Sequence, residues 1–177
     1  MSLEAAYLAG VVDSDGCIRV EMLRNHGRSH DGVSYAPIVT IQQVECEAVK
    51  LARDLFGGHV LCIKGKVGRP MQRWTAKSRV ATAALHRMLP FLRIKKEQAT
   101  NAIALHALVI ELNRLRYAGV VPGKNGPRRR THAELAMLHE HFLRSRELNG
   151  GLPTHVAIQQ RRMRGLTPGL PLAAGTA

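Results

Sequence analysis

The sequence predicts an α+β fold in which one antiparallel sheet carries helices on one face and leaves the other face open. Three observations predict it. The hydrophobic period changes at Gly16, from helical spacing before it to strict alternation after it. Two successive strand pairs each lead into a helical segment, so strands pair with their neighbours rather than through crossovers. The residues that alternate with the apolar ones are polar or basic, which gives the sheet one wet face.

Ser2 is suited to cap a helix starting near Leu3, with Glu4 in its first turn. This helix carries Ala9 and Gly10 side by side, and a helical glycine costs roughly 1 kcal/mol unless a close backbone approach compensates. Its end, Asp13, Asp15 and Gly16, lies at a helix-to-strand junction. A strand over 17–23 leads through a polar turn, 25–32, into a second strand over 34–43. There Val39 and Ile41 face the core, and Thr40 and Gln42 face away. A helix over 45–56 offers the stripe Ala48, Leu51, Ala52 and Leu55 and stops at Gly57-Gly58. Strands over 59–66 and 71–76 follow, with Trp74 and Ala76 on one face, Arg73 and Thr75 on the other. Trp74 is placed in the core. Helices over 78–89 and 96–117 come next, the second with Ala99, Ala102, Ile103, Leu108, Val109 and Leu112 as its apolar set. After a loop over 119–127 and the run Arg128-Arg129-Arg130, a last helix spans 132–148 through Leu135, Leu138 and Phe142. Residues 1–149 read as one domain and 150–177 as a basic, Gly- and Pro-rich tail.

Composition narrows the function. At 177 residues the chain can bury a real core. No run approaches the length needed to cross a bilayer, and no basic amphipathic helix carries aromatic anchors. Cys17, Cys46 and Cys62 form neither a disulfide framework nor a CxxC pair, so a reducing, intracellular setting is expected. Lys and Arg number 26 against 13 Asp and Glu, a net charge of +13, which points to a polyanionic partner and foremost to nucleic acid. Nine histidines include no pair at zinc spacing with cysteines; His139 and His141 are two apart and cannot share a helix face. Asp13-x-Asp15-Gly16 offers hard oxygen ligands of the kind Mg2+ prefers.

The stretch LAGVVDSDG, residues 8–16, resembles the motif of the LAGLIDADG homing endonucleases, with Val11, Val12 and Ser14 as conservative departures. Two further segments are similar to that family: VTIQQ followed by a helix ending LFGG, and PFLRIKKEQA. The likeness runs over roughly residues 3–112. It implies an αββαββα core with further C-terminal helices. It implies a double-strand DNA endonuclease that cuts a long pseudo-palindromic site and spreads its own intron or reading frame. It places the metal on Asp15 with the backbone carbonyl of Ser14, the water-ordering amide on Gln43 and the catalytic lysine on Lys95. The metal would be Mg2+, with Mn2+ able to substitute and Ca2+ binding without cleavage. One motif per chain implies a homodimer, with Leu8, Ala9, Gly10 and Val12 at the helix–helix interface. Asp13 either closes the motif helix or binds metal.

On the open face, Arg19, Glu21, Asn25, Thr40, Gln42, Arg73 and Thr75 are the candidates for base or phosphate contact, since Arg suits guanine and Gln or Asn adenine. Glu21 either accepts from cytosine or pairs with a neighbouring arginine. Arg28, Lys64, Lys66, Arg69, Arg128, Arg129 and Arg130 suit phosphate contacts. Related sequences often place a basic residue soon after the glutamine, where this chain has Val44, Glu45, Cys46 and Glu47; Lys50 and Arg53 lie on the next turns. Two other readings use the same charge: an RNA-binding maturase for intron RNA, and a cleavage-inactive DNA-binding protein. The compartment would be the cytoplasm or nucleoid of a bacterium, or an organelle.

Overall fold

The computed structural model describes residues 2–24, 32–64, 69–120 and 127–150. Asn25, Arg28, Lys66 and the 151–177 segment, on which the sequence places contacts and a tail, lie outside the described residues. In chain order the elements are α1 (Leu3–Asp15), β1 (Gly16–Arg24), β2 (Val33–Gln43), α2 (Glu47–Phe56), β3 (His59–Lys64), β4 (Pro70–Lys77), α3 (Ser78–Met88), α4 (Lys96–Tyr117) and α5 (His132–Leu148). The strands form one sheet in the order β1-β2-β4-β3, every pair antiparallel. This is the expected α+β architecture.

The register explains the two faces. Ile18, Val39, Ile41, Trp74 and Ala76 are buried against Leu8, Ala9, Val12, Val49, Ala52, Leu85, Met88 and Ala99 from the helices. Their alternates Cys17, Arg19, Thr40, Gln42, Arg73 and Thr75 share the opposite face. Trp74 is fully buried, as expected, and its indole Nε1–H donates to the Gly57 carbonyl at 2.8 Å. A second cluster, Val20, Tyr35, Leu105, Leu112 and Leu138, seats α5 on α4 and the β1 end of the sheet. There Ser145 Oγ accepts from Val20 N–H at 2.8 Å and Asn149 Nδ2–H donates to Ile18 O at 3.0 Å. α5 thereby occupies groups of an edge strand that would otherwise be open to pairing.

Local expectations shift in detail. Ser2 stands at the N-cap of α1 without a capping bond, because its hydroxyl donates to the Glu4 carboxylate instead. The first turn expected of α2 is a bend, and the helix starts at Glu47. Val49 is buried on α2 while Leu51 and Leu55 are half-buried; on α4 Leu105 is fully buried while Ile103, Leu108 and Val109 are half-buried. His139 Nδ1 bonds Tyr35 OH at 3.0 Å and His141 Nδ1 bonds Asn101 Oδ1 at 2.8 Å, so both histidines serve packing.

Candidate metal centre and nucleic-acid interface

The site is built around the last turn of α1. Its close join to β1 depends on Gly16, since a Cβ there would sit 2.6 Å from Val12 Cα and 2.9 Å from Val12 O. Because Gly16 pairs with Ile41, β2 continues two residues past the start of β1 and carries Gln43 over the end of the helix. Gln43 Nε2–H donates to Asp15 Oδ2 at 3.4 Å, and Asp15 is otherwise exposed.

Asp13 faces the other way. Its carboxylate accepts from the backbone N–H groups of Arg93 at 2.6 Å, Lys95 at 2.9 Å and Ile94 at 3.2 Å. Burial pushes its pKa up, but those three amides and the Lys95 ammonium outweigh it and hold the carboxyl below its usual range. Lys95 completes the clasp: Nζ donates to Val12 O at 2.8 Å and Asp13 O at 2.6 Å, and lies 3.5 Å from Ser14 O. The cation thus sits at the negative end of the helix dipole, taking up Asp13 O and adding to Val12 O, which already accepts from Gly16 N–H. Asp13 closes the helix, and its oxygens are spent on the connection into α4.

Asp15, Gln43 and Lys95, far apart in sequence, therefore converge on one helix end. The Asp15 carboxylate and the Ser14 carbonyl are hard oxygen donors at an exposed turn, a set that suits a Mg2+ ion retaining most of its waters. Among the described residues no cluster of three or more His, Cys, Asp or Glu side chains forms a protein-only cage. The groove beside Asp15 is lined by Tyr7, Gln42, Gln43, Glu45, Glu47 and Met71, linking the helix end to the open face. The two glutamates that depart from the family pattern face this groove. Neither Lys50 nor Arg53 lines it, and Arg53 is turned onto Asp54 at 2.9 Å.

On the open face, Glu21 pairs with Lys77 at 3.2 Å and Arg19 at 3.8 Å. Gln42 Oε1 accepts from Arg73 Nε at 3.0 Å and Nη2 at 2.7 Å. Arg69 is exposed just before β4, whereas the register puts Lys64 on the helix-side parity of Trp74 and Val60, away from the open face. Arg128 and Arg130, expected to meet phosphates, also bond within the chain. Arg128 Nη1 donates to Glu134 Oε2 at 2.9 Å and Arg130 Nη2 to Asn113 Oδ1 at 2.7 Å, fixing the approach to α5. The Arg128 hydrogen bonds, with the capping box that Thr131 forms, draw the Glu134 pKa down to about 2. Arg129 remains exposed.

The interface residues on α1 also need correction. Leu8, Ala9 and Val12 have no exposed surface, being used by the chain's own core. Gly10 alone of the four is exposed, and a Cβ there would meet nothing within 4 Å in this chain. It shares its face with Leu3, 87% exposed, and Tyr7, 53% exposed. Sequence reading missed Lys77, although it continues the alternation Arg73, Thr75. It also missed Arg146, which lines a groove with Arg19 and Glu21 and is brought there only by the docking of α5.

No known family profile and no curated protein matches the sequence. Solved structures do. The homing endonuclease I-CvuI, in complex with the I-CreI target, superposes with a TM-score of 0.53 at 20% identity, over 77% of this chain and 95% of that one. The homing endonuclease I-TnaI gives 0.53 at 16% identity, over 94% of this chain and 100% of that one. The LAGLIDADG meganuclease I-CpaMI, bound to uncleaved DNA, gives 0.60 at 15% identity, over 98% of this chain and 53% of that one. The chain has the LAGLIDADG endonuclease fold.

Proposed function

We propose that the protein is a divalent-metal-dependent, sequence-specific double-strand DNA endonuclease of the LAGLIDADG homing type, acting as a homodimer. One observation carries the reading: Asp15, Gln43 and Lys95 meet at an exposed helix end that opens onto a polar, basic sheet face. The DNA complexes among the structural neighbours support the same partner. The Asp15 carboxylate and the Ser14 carbonyl would hold Mg2+, which would supply Lewis-acid stabilisation of the phosphodiester and a more acidic water. Gln43 orders a water beside Asp15, since its amide both donates and accepts. Lys95 keeps the Ser14 carbonyl and the final turn in place and sets a positive charge next to the scissile phosphate.

One Asp15 per chain serves one DNA strand, so a double-strand cut requires two copies. The exposed stripe Leu3, Tyr7 and Gly10 supports helix-to-helix contact, because a glycine with no neighbour in its own chain leaves room for a second backbone. Gly10→Leu is expected to shift the protein to monomers in sedimentation without lowering its thermal midpoint; an unchanged dimer would remove Gly10 from the interface.

The deciding experiment is cleavage of a randomised duplex library in Mg2+, in Ca2+, and by the Asp15→Asn variant. Recurrent cuts at one pseudo-palindromic site, in Mg2+ and lost in the variant, are expected. Specific retention without cuts in any metal would leave a DNA-binding protein, and retention of intron RNA alone would leave a splicing role.

A further inference from the structure

We infer that Gln42 is a positioning residue and Arg73 the base reader it holds, so that the row Gln42–Arg73–Leu61 reads a guanine flanked by a pyrimidine bearing a 5-methyl group. The inference rests on the DNA reading above and deepens it.

The register places the three in one line across the sheet, with Gln42 opposite Arg73 and Arg73 opposite Leu61. All three have the parity of the open face, opposite to buried Trp74 and Ile41. A glutamine that reads adenine must accept from N6 with its oxygen while donating to N7. Gln42 Oε1 already accepts two N–H groups, from Arg73 Nε at 3.0 Å and Nη2 at 2.7 Å. Its Nε2 is turned to Met71 Sδ at 3.4 Å. Gln42 is therefore committed within the sheet.

The same geometry leaves Arg73 well prepared. A guanidinium has five N–H donors, and Gln42 takes the Nε–H and one Nη2–H. The Nη1–Nη2 edge keeps its parallel pair of donors, the fork that matches guanine O6 and N7. Held by two hydrogen bonds, the side chain surrenders less rotamer freedom on binding than an unrestrained arginine. Beside it on the open face, Leu61 is 59% exposed. An aliphatic side chain at that place has one complement in the major groove, the methyl group of thymine.

The test is a binding selection from a randomised duplex library with the full chain in Ca2+, read by sequencing. The wild type should recover guanine at one position of each half-site, preferred on the order of tenfold to a hundredfold. Arg73→Gln should erase that preference and leave the other positions intact. Gln42→Leu should weaken it severalfold at the same position, with retention of unselected DNA unchanged, a readout that loss of folding would not give. Replacing the adjacent thymine by uracil should lower wild-type retention a few-fold, and Leu61→Ala should abolish that difference. Guanine preference surviving in Arg73→Gln overturns the inference while the DNA reading stands. Loss of an adenine preference elsewhere in Gln42→Leu, with guanine intact, overturns it equally. If the wild type recovers no site, the DNA reading falls and this inference with it.

Discussion

Two sides of one helical turn carry the same residue type to opposite ends. On the side facing the α3–α4 connection, Asp13 accepts three backbone N–H bonds and Lys95 takes up the neighbouring carbonyls. On the side facing the groove, Asp15 has among the described residues one long bond, from Gln43 at 3.4 Å. The first carboxylate has spent its acceptor capacity on the fold; the second has kept it for something outside the chain. On the proposed function, it is this unused coordination at an exposed terminus, rather than the mere presence of an acid, that suits Asp15 to a metal.

The comparison breaks most visibly at Asp15. Asp15→Asn should reduce DNA cleavage at least about a thousandfold, in line with losing a metal ligand, and leave the thermal midpoint within about 1 °C. A large loss of stability in that variant would place Asp15 on the structural side with Asp13. Lys95 touches both sides, so Lys95→Met should cost cleavage about a hundredfold and stability about 1–2 kcal/mol, by kinetics and urea unfolding. Stability alone falling would make Lys95 purely a cap.

Asp13→Ala gives the mirror image of Asp15→Asn. It orphans the amides of Arg93, Ile94 and Lys95, and an expected loss of about 2 kcal/mol would lower the melting temperature by roughly 4–8 °C. Cleavage per folded molecule should fall less than tenfold; a loss as complete as that of Asp15→Asn would abolish the distinction. The smallest effect is on pH. A carboxyl whose folded pKa is depressed stabilises fully above its unfolded value, near 4, and loses this as pH falls through the folded one. Stability of the wild type should therefore decline with acid, with Glu134 contributing first, from about 4.5 down to about 2, and Asp13 joining below 3.8. Asp13→Asn should flatten the decline below 3.8 and leave its onset unchanged; identical acid profiles would show that Asp13 is not held as the geometry indicates.

Where the chain becomes helix and where it becomes strand is written in the period of its apolar residues, and so is the side of the sheet that stays wet. Arg73, Thr75, Thr40 and Gln42 fall on the open face because side chains alternate, whatever the helices do. The convergence of Asp15, Gln43 and Lys95 was legible through the resemblance of their three segments. The facing of α1 was not. Ala5, Leu8, Ala9, Val11 and Val12 are buried while Leu3 and Tyr7 are exposed, and a helix apolar on nearly all sides carries no sequence signal for which side meets its own sheet. The run Arg128-Arg129-Arg130 likewise reads as uniform charge, until Glu134 and Asn113 take the outer two.

The sequence alone determined the elements, their order, the alternation that makes one polar face, and the residue types brought to the end of α1. Only the tertiary structure decided what the Asp13 carboxylate binds, which of Gly10 and its neighbours stays exposed, and where the Gln42 amide is bonded. The physical reason is the same in each case. Periodicity is a property of neighbours along the chain, whereas the filling of a hydrogen-bond acceptor or a helix face depends on groups that arrive from elsewhere. Asp13 is closed because residues 93–95 reach it, whereas among the described residues Gln43 alone bonds Asp15.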